Sequence, residues 1–361
     1  MHTLRPLILR LSTIALLSMA CVPSATMGQT APSSLSDLAK KGVLSTKDEG
    51  FIKAFAEYHG QDLTSDDAGA RSKARQKLMA DLQGLSGQRA TPSFREYYAT
   101  ELMPTLRSVI SDGTIPQAIA AAQIAGVLGT DSAVTTLSRH FSQSQEPREA
   151  IRLWAAASLR PLVVEPNVTA SRLTRSLSDL GRAAAAEPTW PALRQQLETI
   201  AAAVNNARSQ EEGRDEIMRV ARTEQARVMA IAIKRLGDGD LDMLKVIGPH
   251  LQHVQQQFLD QDSSTALNEL AKSMVPVLTP MYGSILSQWD AIRADEQSTA
   301  LGGRSLEKAE VLVVLMNNYL TDGNAAASPK YQQALARNQK ADVEAGQARW
   351  GSLGSSPPYT N

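Results

Sequence analysis

Apolar positions recur at helical spacing along most of the chain. Phe51, Ile52 and Phe55 share one face of a helix that Thr46 and Glu49 cap and Gly60 stops. Thr64, Ser65, Asp66 and Asp67 place a cap and negative charge at the start of a second helix, which reaches about Gln83. Thr91 and Pro92 open a third through Ile110, with Phe94, Tyr97, Tyr98, Leu102, Leu106 and Val109 inward and Pro104 set to kink or split it. Further helices are expected over 189–206, 217–237 and 241–258, and from Leu267 to Ile285 with bends at Pro276 and Pro280. The last two run from Ser305 to Leu320, after a loop at Gly302 and Gly303, and from about Pro329 to Ala348.

Residues 116–163 stand out. They read as helix, tight turn, helix, loop, helix, and the outer helices match at an offset of 31 residues: Pro116 with Pro147, Ala125 with Ala156, Leu128 with Leu159. Alanines occupy the close-packing positions, and Arg152 follows two turns into the last helix. This stretch resembles the HEAT-like, armadillo-type helical repeats. That resemblance implies antiparallel helix pairs stacked into a curved solenoid that binds other proteins. The next proline-led helix, at Pro191, lies 44 residues after Pro147, so the period drifts. Beyond Gln210 the apolar seams narrow, with Leu241, Leu244, Ile247, Leu251, Val254 and Phe258 on one helix, as in a bundle or short coiled coil. The expected architecture is all-α: a short irregular solenoid over 37–207, then a helical bundle over 208–321. A disordered lead-in (29–36) and a loosely attached helix with a disordered tail (322–361) flank them.

Composition supports helices over sheet, with aromatic residues at only 4% and runs of alanine at 183–186 and 201–203. Residues 1–28 have the layout of a signal peptide, with Arg5 and Arg10 before the apolar run Leu11 to Val22 and small residues to Gly28. Export to a periplasm or the extracellular space follows, with lipid anchoring through Cys21 as the minority alternative. No segment of the mature chain is apolar for long enough to cross a membrane. Cys21 is the only cysteine, which rules out intrachain disulfides and cysteine-based zinc sites. Basic and acidic side chains number 37 each. Loss of Arg5 and Arg10 with the leader leaves 35 against 37, a formal charge of minus two. Such neutrality disfavours nucleic acid as a partner, although Arg172, Arg175 and Arg182 form a local basic stripe.

No catalytic constellation emerges. The chain lacks a G-x-S-x-G elbow and a glycine-rich phosphate loop, and no cofactor site is expected. His250 and His253, one helical turn apart with Asp242, Asp260 and Asp262 nearby, are the weak metal candidates. Asp238, Asp240 and Asp242 alternate like the first ligands of a calcium loop, but Met243 and Pro249 stand where that loop needs glycine and glutamate. Asp66 and Asp67 read as caps, Tyr97 and Tyr98 as core. Glu187 with Glu165, and Glu211 with Glu212, read as charges on solvated faces rather than as acid/base pairs. For a partner protein the expected surface is Arg148, Arg152 and the loop from Ser142 to Glu146. The leading expectation is a non-catalytic interaction or scaffold module of a bacterial envelope. The alternatives are a helical envelope enzyme, metal-dependent at His250 and His253, and a structural homo-oligomer held by the seams from Leu241 to Ile285.

Overall fold

The computed structural model describes residues 34–83, 90–206, 213–260, 263–327 and 330–359. The leader with Cys21, and also Glu211, Glu212 and Asp262, lie outside them. Among the described residues every regular element is a helix and none is a strand. The chain is all-α, and Pro32–Asn361 forms one compact unit. No helix among the described residues is long and apolar enough to cross a membrane.

In chain order the helices are α1 (Ser36–Ala39), α2 (Thr46–Asp62), α3 (Ala68–Gln83), α4 (Pro92–Asp112), α5 (Ile115–Leu128), α6 (Asp131–Ser138), α7 (Glu149–Leu159), α8 (Ala170–Ala185) and α9 (Trp190–Asn206). After them come α10 (Arg214–Gly237), α11 (Leu244–Leu259), α12 (Ser264–Leu278), α13 (Met281–Ser287), α14 (Trp289–Arg293), α15 (Glu296–Thr321), α16 (Tyr331–Ala336) and α17 (Lys340–Trp350). Two rows organise the packing. In one, α3, α5, α7, α9, α11 and α15 each touch the next; in the other the sequence is α4, α6, α8, α10, then α12 and α13. The rows meet along α4–α5, α5–α6, α8–α9, α9–α10 and α12–α15.

Several local expectations shift for physical reasons. Ser45, not Thr46, caps α2: its hydroxyl accepts from the Asp48 N–H at 3.3 Å while the Asp48 carboxylate accepts from the Ser45 N–H at 3.0 Å. Helix α2 then runs past Gly60, which lies against Thr105 of α4. Helix α4 continues unbroken through Pro104. The bends expected at Pro276 and Pro280 resolve into two helices separated at Thr279 and Pro280, with Pro276 inside α12.

Helix α8 has no counterpart among the sequence expectations, yet Leu173, Leu177, Leu180 and Ala184 bury one clear face of it. Gly302 and Gly303 lie buried within α15 instead of forming a loop, and glycine is needed at 303 because a Cβ there would strike the Gln332 backbone and hold α16 away. The small residues of α5 and α7 do the same: a Cβ on Gly126 would sit 2.5 Å from the Ser158 carbonyl oxygen.

Residues 330–350 are firmly seated rather than loosely attached. Tyr331, Leu335, Val343 and Trp350 are buried, and the Tyr282 and Tyr331 hydroxyls both donate to the buried Glu310 carboxylate. The tail is held as well, since the Tyr359 hydroxyl donates to Asn317 Oδ1 at 2.9 Å. Within the expected lead-in, Leu35 is buried and its N–H donates to Asp81 at 2.8 Å. The seam residues Leu244, Ile247, Leu251, Val254, Leu270, Met274, Leu278 and Ile285 are all buried inside the chain.

Candidate functional site

The two arginines expected to meet a partner turn inward. Arg152 exposes 2% of its side chain and Glu187 none, and they form a bidentate pair with both N···O distances at 2.7 Å. Its remaining nitrogen donates to the Glu146 and Pro147 carbonyls at 3.0 Å each. Arg148 is 25% exposed. It grips the Glu146 carboxylate at 2.7 Å on each arm and closes the end of α4 by donating to the Ile110, Ser111 and Gly113 carbonyls. Both guanidinium groups are structural, and burial leaves Arg152 nothing to offer a partner.

These contacts belong to a recurring corner. Glu146–Pro147 precedes α7 and Glu187–Pro188 precedes α9, 41 residues apart, and both carboxylates are buried. Each glutamate accepts from the N–H two residues on, at 3.0 Å from Arg148 and 3.2 Å from Thr189. Arg235 repeats the pattern one step further, donating to the Glu187 and Pro188 carbonyls at 2.6 and 3.0 Å and to Asp240 at 2.6 Å. Pro188, not Pro191, therefore occupies the place of Pro147.

A different set of arginines faces solvent. Between the C-terminal end of α6 and the length of α8 lies a groove of about 420 Å³ lined by Thr135, Ser138, Arg139, Phe141, Ser142, Gln145, Arg172, Arg175, Ser176, Asp179, Arg182, Ala183 and Ala186. That volume falls in the range of ligand clefts. Arg139, Arg172 and Arg175 form no ion pair among the described residues, whereas Arg182 pairs with Asp179 one turn away. The Nε of Arg172 is buried with no hydrogen-bond partner. Ser138 and Ser176 join the walls through a 2.7 Å hydroxyl contact. The basic stripe seen in the sequence thus becomes one wall, and Ser142 and Gln145, from the loop expected to meet a partner, form part of the rim. Arg139, from the opposite wall, was missed; being outside the stripe, it is brought there only by the packing of α6 against α8.

The remaining candidates resolve into structural roles. His250 is buried, its Nε2 lies 2.9 Å from the Gln225 side-chain nitrogen, and burial together with the nearby His253 pulls its pKa down to about 3. The two rings lie 5.9 Å apart, and among the described residues no cluster of three histidine, cysteine or acidic side chains could hold a metal ion. Asp238, Asp240 and Asp242 each face a cation, Lys234, Arg235 and Lys245 respectively, in place of a shared calcium centre. Asp67 caps α3, accepting from Gly69 at 2.6 Å. Tyr98 is core, its hydroxyl donating to the Leu78 carbonyl at 3.1 Å and its pKa raised by burial. Glu187 and Glu165 do not form an acid pair, since Glu165 lies 3.9 Å from Arg95 while Glu187 belongs to Arg152.

Set against models of known protein families, characterised proteins and solved structures, the chain matches none of them, so the functional reading rests on the chemistry of the groove.

Proposed function

We propose that this protein is an exported, non-catalytic docking scaffold of a bacterial envelope, built from HEAT-like helix pairs, with the groove between α6 and α8 as its contact surface for another protein. The carrying observation is the convergence of Arg139, Arg172 and Arg175, uncompensated by any ion pair among the described residues, on one concave surface. Elsewhere in the fold guanidinium groups such as those of Arg95, Arg148, Arg152 and Arg235 are consumed by carbonyls and carboxylates. Unpaired charge held in a cleft steers a complementary surface toward it and fixes its register. The two-row packing order supports the repeat reading, as does the recurring Glu-Pro corner. The export signal supports the compartment.

The test places a photo-crosslinking residue at Gln145, on the groove rim, and separately at Lys53 on the exposed face of α2. Crosslinking is done in an envelope fraction. Adducts are expected from position 145 only, and Arg139→Glu with Arg175→Glu should remove them. Equal adducts from both positions, or adducts insensitive to the charge reversal, overturn the assignment.

A further inference from the structure

We infer that the occupant of the groove is an extended acidic segment of the partner protein, held through its carboxylates; this rests on the docking reading given above. Charge comes first. The lining holds four arginines against the single carboxylate of Asp179, a local surplus of positive charge in a chain that is formally neutral.

Shape comes second. Arg172, Arg175, Asp179 and Arg182 follow one stripe of α8. At about 1.5 Å per residue the stripe is roughly 15 Å long, which matches four to five residues of an extended chain at about 3.3 Å each. A line of guanidinium groups suits several separate negative charges better than one compact dianion.

Local dipoles oppose any anion here: the groove is bordered by the C-terminal end of α6 and, at Ala183 and Ala186, by that of α8, and such ends carry partial negative charge, so the attraction must come from the guanidinium groups themselves. Phe141 is 1% exposed and offers no ring on which a base could stack, which disfavours a single-stranded nucleic acid. A carboxylate, by contrast, matches the planar guanidinium fork of the arginines that line the groove.

The experiment is fluorescence anisotropy on the full mature chain. The probes are a labelled eight-residue alternating Glu-Ala peptide, its Gln-Ala counterpart and a phosphoserine-containing peptide with otherwise neutral residues. The Glu-Ala peptide is expected to bind, to weaken as salt rises, and to bind at least about tenfold more tightly than the Gln-Ala peptide. Arg172→Gln with Arg175→Gln should abolish binding while leaving the thermal unfolding midpoint in place, and the separate variant Arg139→Gln gives a second reading from the opposite wall. Equal binding of the glutamine peptide, no binding of the glutamate peptide, or preference for the phosphoserine peptide overturns the inference. If groove crosslinking persists while the glutamate peptide fails, only the acidic occupant falls; if both fail, the docking surface falls with it.

Discussion

Helices α7 and α8 are successive in the chain and carry arginines that do opposite things. On α7 and the corner before it, Arg152 is buried and Arg148 partly so, and both bind carboxylates and backbone carbonyls. On α8, Arg172 and Arg175 line an open groove whose one acid, Asp179, pairs with Arg182 instead. The difference is not one of residue type or helical position. It lies in what the neighbouring element brings: the Glu-Pro corners deliver a buried acid to α7, while the end of α6 delivers Arg139 and hydroxyls to α8. An arginine whose donors are used up supports the fold, and one whose donors are unused is available to a ligand.

Removing one member of the buried pair is the severest way to test this contrast. Arg152→Ala, or Glu187→Gln, should cost about 3–5 kcal/mol in urea unfolding, since the surviving charge is left without its partner in the interior. Replacing both by apolar residues, as Arg152→Met with Glu187→Leu, should recover part of that loss. An unchanged midpoint in either single variant would remove the structural role assigned to α7.

The interior's treatment of charge is tested next by acid. His250 has a folded pKa of about 3 against an ordinary 6.5, so between those values the unfolded chain binds a proton that the folded chain refuses. Stability from this group is therefore complete above the ordinary value and falls as the pH drops, by roughly 1.4 kcal/mol per unit and about 3 kcal/mol at pH 4. His250→Gln should flatten that part of the stability profile; an unaltered slope would place the acid sensitivity elsewhere.

Smaller effects follow for the partly exposed clamp. Arg148→Ala should destabilise by about 1–3 kcal/mol through the lost bonds to Glu146 and to the end of α4. Least of all, Arg172→Gln with Arg175→Gln should leave unfolding within about 0.5 kcal/mol of the parent. A large loss in that variant would make α8 resemble α7 and end the contrast.

The helical class was legible because apolar spacing and caps are local: Thr91 with Pro92 and the face of α11 both act where the sequence places them. The misreadings share one cause. Gly302, Gly303 and Pro104 look like breaks in isolation, and only the neighbour that needs a missing Cβ, or a helix otherwise well packed, shows why they sit inside helices. Arg148 and Arg152 were read as surface because charge defaults to solvent, whereas their partners Glu146 and Glu187 are supplied by loops 6 residues before and 35 residues after Arg152. Of the groove, the stripe on α8 was visible as a periodic run of arginine. Its concavity and Arg139 were not, because they arise from the packing of α6 against α8.

The corners carry one more consequence. Arg152 holds the carbonyls of the first corner and the carboxylate of the second, and Arg235 holds the carbonyls of the second and the carboxylate of Asp240. Each joint is thus fastened from both sides, so one cannot open without loosening the next. Backbone amides of α7, α9 and α10 should then exchange with deuterium as one cooperative block, and a helical array that would otherwise unravel unit by unit opens through this segment in a single step.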